Sequence, residues 1–212
     1  MEEIRTLRTA AIGVGSLGRH HARNYAELAR EARVEFTGVC DANPETAARI
    51  AADNGSSHFV DWRDLLDKAD AVSIATPTET HCEIACAFLE RGVHVLVEKP
   101  MALAVSEADQ MIAAAEKSGA KLMVGQLERF NPAMVALRPH VTNPLYFEIH
   151  RVSPFPNRSL DVDVVLDEVA EALAVALDTE HVRQGDRDLA ASALGDLRGM
   201  HERRLRLVAV EQ

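Results

Sequence analysis

The chain has 212 residues, 47% of them hydrophobic and 26% charged, which is typical of a soluble globular protein and argues against a disordered, collagenous or coiled-coil chain. Its formal net charge of −10 argues against a surface that neutralises nucleic-acid phosphates, although backbone amides could still hold one phosphate locally. The N-terminus has no apolar leader, and no stretch reaches the roughly 18 apolar residues that cross a bilayer. We therefore expect a cytoplasmic protein without a nucleic-acid or membrane partner.

Three cysteines, Cys40, Cys82 and Cys86, lie among apolar neighbours. Their odd number fits reduced thiols better than a disulfide framework. The i, i+4 spacing of Cys82 and Cys86, with His81 beside them, leaves a metal site as an alternative. Because the sequence has no second Cys/His pair with ligand spacing, we expect no metal.

Between residue 9 and about residue 126, short apolar segments alternate with segments of helical period. In chain order they predict a strand at 10–14, a helix at 17–30, a strand at 34–40, a helix at 44–54, a strand at 57–60, a helical turn at 62–66, a strand at 71–75, a helix at 79–91, a strand at 93–97, a helix at 106–117 and a strand at 121–124. The strands lack polar alternation, which indicates a parallel sheet covered on both faces. The handedness rule for crossovers then favours a doubly wound α/β sheet, the Rossmann arrangement.

The sequence changes after residue 126. Five prolines punctuate residues 132–156, and residues 146–152 predict a strand in another layer. From residue 167 onward the chain is rich in Ala, Leu and Arg, with apolar stripes that predict two helices and a final alternating strand. We expect a first domain over 1–125 and a truncated α+β second domain over 126–212, with a divergent tail from about residue 168.

Residues 13–18 fit the pattern G-x-G-x-x-G, which here follows a predicted buried strand and opens a predicted helix. In that context Gly13 permits a tight turn, Gly15 lets the backbone approach a pyrophosphate, and Gly18 allows close packing of helix and strand. The helix N-terminus at Ser16 and Leu17 then presents free N–H groups and a partial positive charge to the phosphates. The segment therefore predicts that the first domain, over 1–125, is a dinucleotide-binding domain.

Asp41 ends the second predicted strand, 23 residues after Gly18, near the spacing expected of an acid that binds the adenosine ribose. A charged hydrogen bond of about 1.5–3 kcal/mol corresponds to roughly one to two decades of affinity. Because the carboxylate would repel a ribose 2′-phosphate, the sequence favours NAD over NADP. The alternative is that Asp41 is only a helix cap before Asn43 and Pro44.

The tripeptide Glu98-Lys99-Pro100 follows the fifth predicted strand, and ligands of open α/β sheets bind beyond the carboxyl ends of strands. Pro100 restricts Lys99 to extended geometry, which fixes where the lysine side chain starts. Burial and a cationic nicotinamide nearby would both lower the lysine pKa, so that Lys99 could act as a base near neutrality. The alternative is a solvated Glu-Lys pair at a strand end.

At this point residues 9–167 resemble the Gfo/Idh/MocA oxidoreductases, NAD(P)-dependent enzymes that act mostly on sugars and cyclitols. The resemblance lies in the glycine segment 13–18, Cys40-Asp41, Thr76-Pro77-Thr78-x-x-His81, Glu98-Lys99-Pro100 and Gly125-Gln126-x-x-Arg129-Phe130-Asn131-Pro132.

The resemblance implies roles on the cofactor side. Thr76, Pro77 and His81 are expected to line the cofactor cleft. Glu98 and Lys99 are expected to approach the nicotinamide ribose and the reacting hydroxyl. In the implied reaction Lys99 accepts or relays the hydroxyl proton while the cofactor takes the hydride.

The resemblance also concerns the substrate, for which it implies a sugar or nucleotide sugar. Arg129 and Asn131 are expected near that substrate. The segment 151–165 is similar to the branch of the family that oxidises the 3-hydroxyl of UDP-N-acetylglucosamine. Within it Arg158 is a reasonable diphosphate ligand, with a polar turn as the alternative. Asp167 is expected on the substrate side, and family members use the second domain for dimer contacts, so a homo-oligomer is expected.

The chain departs from the family's pattern after Asp167. The family carries a His four residues further on, followed by an Asp, whereas this chain has Glu171 and Ala172. The residues that follow do not resemble the large open sheet of the family's second domain. Three alternatives stay open, namely a frame-shifted or truncated gene, a divergent replacement, and a dinucleotide-binding protein without turnover. The abrupt change in composition favours the first.

His20 and His21 open the first predicted helix, beside the glycine segment. We favour a pair of helical surface residues, and the alternative is a catalytic role. Both imidazoles are therefore expected to face solvent.

Overall fold

The computed structural model of the chain describes residues 6–137. Its elements in chain order are β1 (Leu7–Ile12), α1 (Gly18–Arg30), β2 (Val34–Cys40), α2 (Pro44–Asn54), β3 (Ser57–Phe59), β4 (Ala71–Ile74), α3 (His81–Leu89), β5 (His94–Val97), α4 (Val105–Ser118), β6 (Leu122–Val124) and α5 (Pro132–Leu137), with 3₁₀ turns at Trp62–Leu65, Thr78–Thr80 and Leu127–Phe130.

The six strands form one sheet in the order β3-β2-β1-β4-β5-β6, and every neighbouring pair is parallel. The order reverses between β1 and β4, so the connections that leave these two strands diverge and open a crevice at the carboxyl edge of the sheet. This arrangement confirms the predicted doubly wound α/β fold. It also brings the segments that follow β1, β2, β4 and β5 to the same edge.

Two apolar clusters lie on opposite faces of the sheet, because successive side chains of a strand point to opposite sides. On one face Ala11 and Val39 pack in a buried cluster with residues of α1 and α2. On the other face Ile12 belongs to a larger cluster that includes Phe88 of α3 and Met111 of α4. Burial on both faces explains why the strands read as continuous apolar segments.

The ends of α2 follow from local side-chain chemistry. The side chain of Asn43 accepts hydrogen bonds from the backbone N–H groups of Glu45 and Thr46, and Pro44 occupies the first helical turn. Gly55 ends the helix at φ 67°, a left-handed conformation that glycine adopts without a steric penalty. These are the residues from which the sequence predicts the helix.

The largest boundary errors concern two predicted elements. β1 begins three residues earlier and stops two residues sooner than predicted, because Gly13 at φ 77° leaves the extended region. The helix predicted at 79–91 is a 3₁₀ turn followed by α3, which ends at Leu89. After Leu89 the chain forms a hydrogen bond between residues three apart, from the N–H of Gly92 to the carbonyl of Leu89.

The chain divides after Gly125 into two units, residues 1–125 and 126–212. Of the second unit the structure describes residues 126–137, which contain the 3₁₀ turn Leu127–Phe130 and α5. The strand predicted at 146–152, the later helices and the final strand lie outside the described residues. The truncated α+β second domain therefore stays a prediction.

Candidate functional site

The glycine segment between β1 and α1 is packed tightly on its inner side. Gly13 has φ 77°, and a Cβ built there would lie 2.7 Å from the backbone carbon of Ala75 and the backbone nitrogen of Thr76. A Cβ on Gly18 would collide with the carbonyl oxygen of Gly13. Both positions therefore require glycine, because the atoms in the way belong to the backbone and cannot move aside cheaply.

The outer side of the same segment is open. A Cβ on Gly15 would meet nothing within 4 Å. Among residues 6–137, the backbone N–H groups of Gly15, Ser16 and Leu17 have no hydrogen-bond acceptor. α1 has no capping side chain and no acid in its first turn, whereas the side chain of Asn43 caps α2. Unpaired N–H groups and the positive end of the helix dipole fit the pyrophosphate of a dinucleotide.

Asp41 joins the glycine segment to the end of β2. Its Oδ2 accepts a hydrogen bond from the N–H of Val14 at 2.9 Å, and its Oδ1 accepts one from the N–H of Asn43 at 2.9 Å. The alternative of a simple helix cap fails, because the side chain that caps α2 is that of Asn43. The carboxylate thus lies beside the open N–H groups, where an acid that binds the adenosine ribose belongs.

The segment after β4 carries the predicted cleft residues Thr76 and Pro77. Pro77 is exposed and Thr76 is half-buried, and the hydroxyl of Thr80 donates to the Thr76 hydroxyl at 2.7 Å and also lies 2.8 Å from the Pro77 carbonyl. Because the N–H of Ala75 donates to the carbonyl of Ile12, the start of this segment is tied to the end of β1. Thr76 and Pro77 therefore lie next to the glycine segment.

His81 is buried in the interior, since only 1% of the residue is exposed. Its Nε2 is 2.9 Å from the carbonyl oxygen of Thr76, and its Nδ1 is 3.0 Å from the carbonyl oxygen of Pro100. A neutral imidazole carries one N–H and can donate to only one of these carbonyls, whereas an imidazolium can donate to both. The ring thus links the segments that follow β4 and β5. Because it is buried, it is not an exposed wall of the cleft, which is where the sequence prediction placed it.

Glu98 and Lys99 follow β5 at the same edge of the sheet. Glu98 is 4% exposed, and its Oε2 accepts a hydrogen bond of 3.3 Å from the N–H of Lys99. A Cβ on Gly125 would lie 2.8 Å from Cδ and both carboxyl oxygens of Glu98, so the carboxyl group packs directly against that backbone. Lys99 is half-buried, and the peptide bond between Lys99 and Pro100 is cis. A buried carboxylate of this kind is not a solvated surface pair.

The structure corrects the prediction that His21 faces solvent. Its Nε2 lies 2.9 Å from Oε1 of Glu98, and its side chain is 16% exposed, whereas His20 is exposed as predicted. The signal that could have revealed this was helical spacing. His21 falls three residues after Gly18 and four before Tyr25, which bonds to Ser73 of β4, and so it lies on the sheet-facing side of α1.

The predicted substrate residues Arg129 and Asn131 belong to the second unit. Arg129 is exposed at the end of the second unit's 3₁₀ turn, and Asn131 directly precedes α5, where its carbonyl accepts from the N–H of Val135. Arg158 and Asp167 lie outside the described residues.

Over residues 6–137, no three His, Cys, Asp or Glu side chains are placed to share a metal ion. Nor does any helix of that range combine the length and apolarity that crossing a membrane requires. Cys82 and Cys86 lie with their sulfurs 4.0 Å apart.

The strand order, the glycine segment with its unpaired N–H groups and the acid after β2 together define a dinucleotide-binding domain of the doubly wound class. Residues 7–126 match the Gfo/Idh/MocA family model, described as an oxidoreductase family with an NAD-binding Rossmann fold. The chain belongs to this family, and the matched residues are its NAD-binding domain. The resemblance predicted from the motifs is thereby confirmed.

Several characterised proteins are similar to the chain. UDP-N-acetylglucosamine 3-dehydrogenase from Acidithiobacillus ferrooxidans is 42% identical over 172 residues, which are 81% of this chain and 53% of that protein. A solved structure of the Acidithiobacillus enzyme superposes with a TM-score of 0.75 at 41% identity, over 83% of this chain and 57% of the other.

A second solved structure is that of the WlbA dehydrogenase from Bordetella pertussis in complex with NADH and UDP-GlcNAcA. It superposes with a TM-score of 0.59 at 29% identity, over 65% of this chain and 42% of the other. The chain thus spans about half the length of the relatives that it matches.

Proposed function

We propose that the protein is an NAD-dependent oxidoreductase that transfers hydride from a sugar or nucleotide-sugar hydroxyl-bearing carbon to the nicotinamide. The observation that carries the proposal is a juxtaposition at one edge of the sheet. An open, uncapped helix N-terminus, the Asp41 carboxylate and the Glu98-Lys99 pair all follow strands that end there. Ligands of open α/β sheets bind at that edge, where the strand order reverses.

On the cofactor side, the N–H groups of Gly15, Ser16 and Leu17 bind the pyrophosphate, and Asp41 binds the adenosine ribose. NAD, when bound, supplies the acceptor for the hydride. The carboxylate of Asp41 repels a ribose 2′-phosphate, so NAD is preferred over NADP. The Val14 N–H holds that carboxylate next to the glycine segment, which orients it before the ligand arrives.

On the substrate side, Lys99 accepts the hydroxyl proton as the hydride leaves. Its backbone follows Glu98, whose carboxyl group is fixed by burial against Gly125. A general base held in this way contributes typically about 10²–10⁴-fold to a rate. Arg129 and Asn131 contact the substrate in this proposal.

The proposed substrate is UDP-N-acetylglucosamine, oxidised at its 3-hydroxyl. Support comes from the 42% identity with the Acidithiobacillus 3-dehydrogenase, whose matched region extends beyond the dinucleotide-binding domain. Arg158 binds the diphosphate and Asp167 lies on the sugar side in this proposal. Arg158 falls in the segment 151–165, which carries the resemblance to that branch, and Asp167 follows two residues after it.

A second candidate function is NAD binding without turnover. It is favoured by Glu171 and Ala172, which stand where the family's pattern has a His and an Asp. The expected His would contact the reacting hydroxyl, and a glutamate has neither its geometry nor its charge.

Turnover separates the two candidates. The chain is mixed with NAD and UDP-N-acetylglucosamine, and NADH absorbance is followed for the wild type and Lys99→Met. Lys117→Met is the matched control, because Lys117 is an exposed lysine near the end of α4. We expect NADH from the wild type and the control, and a loss of about 10²-fold or more in Lys99→Met. NAD binding without reduction across a panel of sugars would favour the second candidate.

We also propose a cytoplasmic location and a homo-oligomeric state. Cys40, Cys82 and Cys86 are all free thiols, which suits a reducing compartment. The oligomer rests on the family resemblance, and light scattering of the purified chain would test it.

A further inference from the structure

The contact between His21 and Glu98 joins two parts of the site that are 77 residues apart in sequence. Nε2 of His21 lies 2.9 Å from Oε1 of Glu98, and the two side chains are 16% and 5% exposed. At this distance an N–H on Nε2 donates to the carboxylate. The pair is therefore a partly desolvated, charge-assisted hydrogen bond, which is stronger than an exposed one.

The carboxylate of Glu98 needs such a partner. Burying a charged group without hydrogen bonds is costly, and removal of one partner leaves the remaining group unpaired. The N–H of Lys99 reaches Oε2 at 3.3 Å. The backbone of Gly125 packs against the carboxyl group so closely that no larger residue would fit there. His21 supplies the side-chain donor to Oε1, and so it fixes the direction in which the carboxylate points.

The position of His21 in the chain links this donor to cofactor binding. α1 begins at Gly18, immediately after the N–H groups proposed to bind the pyrophosphate, and His21 is in its first turn. One rigid helical turn thus carries the phosphate site at one end and the partner of Glu98 on its inner face. The carboxylate in turn precedes Lys99, the proposed base.

We infer that His21 is a positioning residue that orients the Glu98 carboxylate toward the nicotinamide half of the dinucleotide, an inference that rests on the proposed placement of Glu98 near the nicotinamide ribose. It acts through Glu98 and makes no contact of its own with the reacting atoms. The consequence is specific to one half of the cofactor. ADP contains the adenosine ribose and both phosphates and lacks the nicotinamide half, so His21 contributes to NAD affinity and leaves ADP affinity unchanged.

The test compares NAD and ADP binding by titration calorimetry for three variants of the full chain. His21→Leu removes the donor, and His21→Gln keeps an N–H at the corresponding distance from the backbone. His20→Leu is the matched control, because His20 is the exposed neighbour on the same helix. We expect His21→Leu to lose about tenfold in NAD affinity, the scale of one charged hydrogen bond, with ADP affinity changed less than about twofold. His21→Gln and His20→Leu should stay within about twofold of wild type for both ligands.

The outcomes are distinguishable. Equal losses of NAD and ADP affinity in His21→Leu would show that His21 only supports the glycine segment or the fold, and would overturn the inference. Unchanged affinity for both ligands would overturn it as well. If His21→Leu fails to fold, His21→Asn and Glu98→Gln replace it, and a Glu98→Gln variant with wild-type NAD affinity would again overturn it. A wild-type chain that binds ADP and NAD equally would reject the placement of Glu98, while a wild type that binds neither would reject the dinucleotide site itself. No outcome depends on turnover, so failure of the proposed reaction remains separate.

Discussion

Gly15→Ala should separate cofactor binding from folding. Nothing lies within 4 Å of a Cβ at this position, and its φ is not in the left-handed region. The free energy of unfolding should therefore stay within about 0.5 kcal/mol of the wild-type value, or rise by roughly 0.4–1 kcal/mol because alanine lowers the conformational entropy of the unfolded chain. The methyl group would, however, occupy the space in which the pyrophosphate approaches the backbone. Losing one or more charged hydrogen bonds of about 1.5–3 kcal/mol predicts a fall in NAD affinity of roughly 10–100-fold.

Gly18→Ala is the matched substitution, because it adds the same methyl group three residues further on. Here the methyl would collide with the carbonyl oxygen of Gly13 and lie 3.3 Å from Cβ of Ala75. Overpacking of this kind costs typically about 1–3 kcal/mol, and backbone atoms in the way place the cost at the upper end. We therefore expect Gly18→Ala to lower the free energy of unfolding by about 3 kcal/mol.

Urea unfolding followed by circular dichroism measures stability, and titration calorimetry with NAD measures affinity. The predicted pattern is a stable Gly15→Ala that binds NAD weakly, beside a destabilised Gly18→Ala. Wild-type NAD affinity in Gly15→Ala would place the pyrophosphate elsewhere and refute the assignment of the open side. Wild-type stability in Gly18→Ala would refute the packing described for the inner side.

Three further predictions concern Asp41, Asn43 and Cys40. Asp41→Ala should weaken NAD more than NADP in titration calorimetry, because the carboxylate binds a free 2′-hydroxyl and repels a phosphate; equal losses would argue against the ribose contact. Asn43→Ala removes the cap of α2 and should lower the free energy of unfolding by about 1 kcal/mol, measured in urea, with NAD affinity largely kept. Burial, with a smaller effect of the Asp41 carboxylate, raises the pKa of the Cys40 thiol from 9.0 to about 12. Because the thiol pKa is higher in the folded than in the unfolded chain, its contribution to the free energy of unfolding is fully present below pH 9 and is lost as the pH rises toward 12. The thermal midpoint should therefore fall over that range, and it should fall less steeply in Cys40→Ala.

Much of the fold could be predicted because its signals are local. β2 and α2 have the predicted bounds, since Asn43-Pro44 and Gly55 mark the helix ends through capping and backbone conformation. The parallel sheet followed from strands that are apolar on both faces. The glycine segment was recognisable because its neighbours are a strand and a helix.

The parts that were missed depend on contacts between distant segments. The pairing of His21 with Glu98 spans 77 residues, and two adjacent histidines give no local sign that one turns inward. His81 is buried for a similar reason, because the carbonyls that it contacts belong to Thr76 and Pro100 on different connections. Helical spacing can place a residue on one face of a helix. It does not show which strand end that face packs against, because this depends on the strand order of the sheet.

The same limit applies to the substrate side. Arg158 is predicted from resemblance to one branch of the family and Asp167 from the pattern of the whole family, and both lie outside the described residues. A substrate site is built from side chains of several segments of the chain. The motifs of a single segment therefore cannot identify all of its residues.

The binding of NAD at the glycine segment with Asp41 as the ribose anchor is tested most directly by titrating the wild-type chain with NAD and with NADP in parallel. We predict saturable NAD binding that is at least about tenfold tighter than NADP binding, the scale of one charged hydrogen bond gained or lost. At NAD concentrations on the order of millimolar, a binding free energy of about 4 kcal/mol would still be detected. The absence of any heat of binding under these conditions would contradict the account.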